Sequence, residues 1–225
     1  MSVSGLTWLQ RLSAISSLND ACRRALYTYV RSAGHSVGRD EAARAMAIPR
    51  STASFHLDRL VRDGLLRPEF RKTPDKTGPG SGRPAKLYTP VLQEVGASVP
   101  ARQYDLAGDL LATAIARSSA QGLPVTEVLL AVADAKGRKA GRPGDFLGVL
   151  TDLGYEPAQD ATGGYRLLNC PFHRLSQDHQ AVVCSMNGAF LSGVAAASGR
   201  DTGVVLQDPG AGHCCARIAA ETNGS

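Results

Sequence analysis

Between Ser17 and Ala33 the run SLNDACRRALYTYVRSA sets Ala21, Ala25, Leu26 and Tyr29 at helical spacing, with Ser and Asn at its start and Gly34 after it. This predicts an amphipathic helix. From Arg39, RDEAARAMA predicts a second, short helix whose Asp40 and Glu41 suit the positive end of its dipole. Ile48 and Pro49 then lead into RSTASFHLDRLVRDG, a third helix stopped by Gly64. On that helix Ala53, Leu57, Leu60 and Val61 share one face, continued by Leu65, which is expected to pack on the first two helices. LLRPEFRKT and KLYTP read as strands on either side of PDKTGPGSGRPA, a hairpin with a long basic tip.

Residues 93–101 contain Gly96, Ser98 and Pro100 and are the expected linker. Beyond them YDLAGDLLATAIARSSA, TEVLLAVADAKGRKAG and PGDFLGVLTDLGY are predicted helices. YRLLNCPF follows as a strand, QDHQAVVCSMNGAFLSGVAAASG as one long helix, and TGVVLQD and CCARIAAE as closing strands. The expected fold class is mostly α with an α+β tail, divided into domains at 1–92 and 102–225. Leu106, Leu110, Leu111, Ala114 and Ile115 form one stripe that serves either a dimer interface or intrachain core.

Charge sharpens this division. Residues 1–100 hold 15 Lys and Arg against 8 Asp and Glu, whereas the remainder holds 10 against 12. A basic first half suits a polyanionic partner such as double-stranded DNA, although solubility alone can also produce a basic surface. The side of the third helix away from its apolar face carries Arg50, Ser51, Thr52, Phe55, Arg59 and Arg62. Hydroxyl and guanidinium groups can bond base edges and phosphates, and an exposed Phe can meet a thymine methyl. Arg71, Lys72, Lys76, Arg83 and Lys86 surround the hairpin tip as candidate phosphate contacts, or as a solvated charged face. His56, on the flank of the apolar face, is expected to be a hydrogen-bonded packing residue, with a base contact as the alternative.

Helix, short helix, tight turn, longer helix and basic hairpin is the order of a winged helix-turn-helix. RSTASFHLDRLVRDGLL followed by GSGRPAKLYTP resembles the winged-helix domain of ArsR-like bacterial regulators, in particular the SufR-type repressors of iron-sulphur cluster biogenesis. The resemblance spans about residues 17–92. It implies a sequence-specific transcriptional regulator acting as a homodimer on paired half-sites.

Five cysteines stand at 22, 170, 184, 214 and 215, four of them within the last 56 residues. Such clustering points to metal or redox chemistry more than to a disulfide framework. Cys170, His173, His179, Cys184, His213, Cys214 and Cys215 offer thiolate and imidazole ligands from three segments, a set suited to Zn²⁺ or an iron-sulphur cluster. Each has a plainer alternative: Cys184 as a small buried hydrophobe, His173 and His179 as exposed residues, and only one of Cys214 and Cys215 facing the centre if both lie in a strand. Cys22 and Met186 are expected to be structural. The tail also resembles the SufR-type sensing domain, in which three cysteines hold a cluster (4Fe-4S) with a fourth, non-cysteine ligand. The resemblance implies Cys170, Cys184 and one of Cys214 and Cys215 as the three, with His173 or His213 as candidates for the fourth.

No phosphate-binding loop, dinucleotide fingerprint or oxyanion pattern occurs, so the chain is not expected to be an enzyme. A cysteine nucleophile at Cys170 or Cys184 with His173 or His179 as base is the remote alternative. No run of eighteen apolar residues and no signal-like N-terminus is present, which predicts a cytoplasmic protein without a membrane partner.

Overall fold

The computed structural model describes residues 6–71, 84–91, 94–208 and 214–220. The chain divides into two compact units, Met1–Ala97 and Ser98–Ser225, both mixing helix and strand. The boundary falls within the stretch expected to be a linker.

The first unit opens with α1 (Trp8–Ser17), a helix absent from the sequence-based expectation. Thr7 caps it reciprocally: its hydroxyl accepts from the Gln10 N–H at 3.2 Å, and the Gln10 side chain accepts from the Thr7 N–H at 2.7 Å. Ser17 therefore ends one helix and does not begin the next. α2 (Ala21–Ser32) is started by Asp20, whose carboxylate accepts from the Arg23 N–H at 2.8 Å. Its inward face is also rotated from expectation, burying Leu26, Tyr27 and Val30 and leaving Ala21 and Ala25 exposed. Burying the larger side chains removes more apolar area from water, and the alanines give way.

α3 (Arg39–Met46) and α4 (Arg50–Arg62) are joined by residues 47–49. Ala47 takes the left-handed conformation, φ 53°, which turns the chain while its N–H and that of Ile48 satisfy the Arg44 and Ala43 carbonyls. α4 buries Ala53, Leu57 and Leu60 and stops at Gly64, where φ is 78°. β1 (Val37–Gly38), β2 (Leu66–Arg71) and β3 (Ala85–Pro90) form an antiparallel sheet in the order β1-β3-β2. β1 escaped the sequence reading because two residues show no period. Leu26, Leu57, Leu60, Leu65 and Tyr88 are fully enclosed in the core between sheet and helices.

The second unit contains α5 (Tyr104–Gln121), α6 (Val125–Ala140), α7 (Phe146–Asp152), α8 (His173–Asp178) and α9 (Gln180–Ala197). Its antiparallel sheet runs β4-β5-β7-β6, from β4 (Pro157–Gln159), β5 (Tyr165–Leu167), β6 (Val205–Gln207) and β7 (Ala216–Ile218). The single long helix expected from residue 177 breaks at His179, whose φ of −131° and ψ of 40° are not helical. The expected strands are shorter than predicted, so Cys170 lies beyond β5, and Cys214 and Cys215 precede β7.

α9 is the core helix of this unit and runs against α6. A Cβ on Gly137 would lie 2.0 Å from the Phe190 carbonyl oxygen, and one on Gly193 would lie 2.1 Å from that of Asp134. Glycine at both crossings is what permits the approach. By length and composition α9 is the one helix among the described residues able to cross a membrane, and 56% of that span is buried inside the protein. On α5, Ala107, Leu110 and Ala114 join the core, whereas Ile115 is 58% exposed. Much of that stripe is therefore intrachain packing.

Candidate nucleic-acid interface and thiol cluster

Because α4 spends its apolar residues on the core, its opposite face is left to polar groups and one aromatic. Ser51, Arg59 and Arg62 are exposed, Thr52 is half-buried, and Phe55 is 60% exposed. Arg50, in the first turn, has its Nε paired with the Asp40 carboxylate, and Arg59 donates to Asp63 at 3.1 Å. The Arg50–Asp40 pair lies at the surface, where solvent screening leaves it weak and exchangeable for a phosphate, whereas the Asp63 carboxylate that holds Arg59 is only 8% exposed. His56 corrects an expectation. Its ring meets Phe55 edge-on with centroids 5.2 Å apart, but its buried Nδ1 has no hydrogen-bond partner among the described residues.

Beside the start of α4, a cleft of about 750 Å³ opens between α3 and the β2–β3 hairpin, lined by Arg39, Arg44, Arg50, Phe70 and Lys86. Phe70 is 69% exposed on β2. Sequence reasoning missed it, along with Arg39 and Arg44, although an aromatic among the charges of LRPEFRK was a visible signal. Arg71 is exposed at the end of β2. Lys86 is not a free cation: its Nζ donates to Asp58 at 2.5 Å, and the Tyr88 hydroxyl donates to the same oxygen at 2.8 Å. Burial raises the Asp58 carboxyl, but these two donors outweigh it and hold the group below its ordinary value. The three residues tie β3 to α4 and fix the hairpin beside the helix. Lys72, Lys76 and Arg83, expected at the hairpin tip, and His213 in the tail lie outside the described residues.

In the second unit four thiols gather. Their side chains interact in sequence, Cys170 with Cys214, Cys214 with Cys215, and Cys215 with Cys184. Cys170, Cys184 and Cys214 are buried and Cys215 is half-buried. Because Cys214 and Cys215 precede the strand, the alternation expected to separate them does not apply, and both join the cluster. The interaction with Cys214 draws the Cys215 thiol down to about 6, whereas burial pushes the Cys184 thiol up to about 12. Cys170 is lowered by its interaction with Cys214, and Cys214 is raised by its interactions with Cys170 and Cys215 and by burial.

His173 stands exposed at the start of α8 with its ring beside Gln177, and His179 is exposed between α8 and α9. Met186 is buried in the core, and Cys22 packs half-buried against the core of the first unit.

Two polar groups in this region went unnoticed in the sequence. Asn187, buried on α9, accepts from the Tyr155 hydroxyl at 2.6 Å and donates to Cys214 Sγ at 3.4 Å. Asn169 donates to the Ala101 carbonyl at 3.0 Å and also accepts from Arg102, whose guanidinium reaches the Cys170 carbonyl at 3.4 Å. An Asn inside the apolar run AVVCSMNGAFLSGV was the available clue to the first of these.

Three buried sulphurs and one half-buried, with an amide N–H donated to one of them, are the donor chemistry that Zn²⁺ or an iron-sulphur cluster takes. Their disposition is a different matter. The thiols face one another in a chain, and among the described residues no group of three or more His, Cys, Asp or Glu side chains is disposed to hold a metal ion. Loading therefore requires the sulphurs to turn toward a common centre. Comparison of the chain with protein-family models, curated proteins and solved structures gave no match.

Proposed function

We propose that this protein is a sequence-specific DNA-binding transcriptional regulator: a winged helix-turn-helix in the first unit and a thiol-based sensing site in the second. The observation that carries the reading is the outward face of α4, where Arg50, Ser51, Arg59 and Arg62 are exposed, Thr52 is half-buried and Phe55 is 60% exposed. A short helix turns through Ala47 into this longer one, and a two-stranded hairpin is tied to it by Asp58, Lys86 and Tyr88. Such a helix enters a major groove with its first turns on base edges, and a hairpin beside it reaches the flanking phosphates. On this reading the protein works in the cytoplasm as a homodimer on two half-sites about one helical turn apart.

The sensing site is the cluster of Cys170, Cys184, Cys214 and Cys215, which would hold an iron-sulphur cluster or Zn²⁺ through its sulphurs. Reversible thiol oxidation is a second reading, favoured by the interaction of the free Cys214 thiol with those of both Cys170 and Cys215. Selection from a random duplex pool by the full chain, followed by footprinting, tests the DNA assignment. The expected result is a paired motif; recovery of sequences no different from the input pool would overturn it. Anaerobic purification with iron, zinc and sulphide analysis separates the two sensing readings, because only ligation leaves a metal.

A further inference from the structure

Among the buried residues of α9, Asn187 is the one amide in an otherwise apolar and thiol-bearing face, and it is 1% exposed within the hydrophobic core of its unit. A buried side-chain amide must have both its ends partnered, and here each end meets a different kind of group. Tyr155, also 1% exposed, stands on one side, and Cys214 Sγ stands on the other. The distance between Tyr155 Oη and the amide is 2.6 Å, in the range of an O–H···O bond and shorter than N–H···O bonds usually are. The carbonyl end of the amide therefore faces tyrosine, and the NH₂ end faces sulphur.

We infer that Asn187, held in orientation by Tyr155, is the positioning residue of the thiol cluster, its NH₂ group fixing the Cys214 sulphur from the core side. The inference rests on reading these cysteines as the sensing site. Donors of this kind orient sulphur ligands and tune what they bind without being ligands themselves, and their loss costs about 10- to 100-fold in metal affinity. An apolar side chain at position 187 would leave the buried Tyr155 hydroxyl without its acceptor, so packing alone does not explain an amide there. Tyr155 acts one step further out. Without its hydroxyl the amide loses the partner that dictates which end faces sulphur.

The test has a metal-free arm and a metal arm, both on the full chain. In nitrogen-15-labelled, metal-free protein, the Asn187 side-chain NH₂ resonances, assigned by their loss in Asn187→Asp, are expected to move when Cys214 is replaced by Ala. They are also expected to exchange faster with solvent in Tyr155→Phe. Resonances indifferent to Cys214→Ala would overturn the inference. In the metal arm, Co²⁺ is titrated under anaerobic conditions and its thiolate charge-transfer absorption is followed. Wild type is expected to show that band, and Asn187→Asp, which keeps the shape and removes the donors, to bind about 10- to 100-fold more weakly with a shifted band. Tyr155→Phe is expected between them. An Asn187→Asp protein that folds and binds Co²⁺ with wild-type affinity and spectrum would overturn the inference. A wild type without the band, but with the amide coupled to Cys214, would overturn the metal reading and leave the positioning role supported.

Discussion

The two units put their reactive groups on opposite sides of the same boundary between core and water. In the first, α4 gives Ala53, Leu57 and Leu60 to the core and turns its cations, hydroxyls and Phe55 outward. In the second, α9 carries Cys184 and Asn187 inward, among Met186, Phe190 and Leu191. An outward face is built for a large partner that arrives from solution and is read by touch. A buried sulphur cluster can meet only what is small enough to enter, such as an ion, a cluster assembled in place or an oxidant. The contrast also separates two kinds of energy. Surface charges cost little to hold and respond to salt, whereas a buried polar network must be fully satisfied or it destabilises the core around it.

This difference can be broken from either side. The largest effect is expected at the crossing of α6 and α9: Gly137→Leu drives a side chain into the Phe190 carbonyl and should cost the second unit about 3 kcal/mol or more. Trp8, the single tryptophan, belongs to the first unit. Denaturation followed by tryptophan fluorescence should therefore keep its wild-type midpoint, while the helical circular dichroism signal loses stability. Leu57→Ala is the converse, costing the first unit about 3 kcal/mol and moving the fluorescence midpoint. At the surface, Arg50→Ala or Ser51→Ala should lose about 1–3 kcal/mol of binding at the selected duplex and little at a random one, measured by gel shift. Arg71→Ala should weaken both equally.

The smallest effect concerns pH. Hydrogen bonding to Glu41 at 2.8 Å raises the His35 imidazole above its ordinary value, and despite some burial the donors around Glu41 hold that carboxyl down. A raised folded-state histidine contributes stability below its unfolded value, lost as pH rises through its folded one. The fluorescence midpoint should thus fall slightly above that point in wild type, and not in His35→Ala.

How much of this was legible follows from the same contrast. The outward face of α4 was readable because charge and apolar residues alternate along one helix, and each side chain's role is set by its own type and period. Its relation to Asp58 and Lys86 was not, because that ion pair joins residues 28 apart in the chain. In the second unit four cysteines drew attention by type alone; their thiols neighbour one another in a chain, and among the described residues they are not disposed around one centre. Their partners Tyr155 and Asn187 did not stand out, since neither carries unusual chemistry until a fold brings them together. The break at His179 and the capping by Asp20 were missed for a local reason: periodicity reports which face is apolar and is silent about where the backbone turns. Ala21 and Ala25 misled because alanine fits either face of a helix.

On the proposed reading, the outward face of α4 and the hairpin beside it bind duplex DNA. Fluorescence anisotropy of a labelled duplex titrated with the full chain over a series of salt concentrations tests it most directly, with Phe55→Ala and the double variant Arg59→Ala, Arg62→Ala measured alongside. The account predicts tight binding at low salt, with the logarithm of the affinity falling linearly against that of salt by about 0.9 per phosphate contacted. It also predicts a shallower slope for the double arginine variant and weaker binding with an unchanged slope for Phe55→Ala. Binding that ignores both salt and these substitutions, or no binding at low salt, would contradict it.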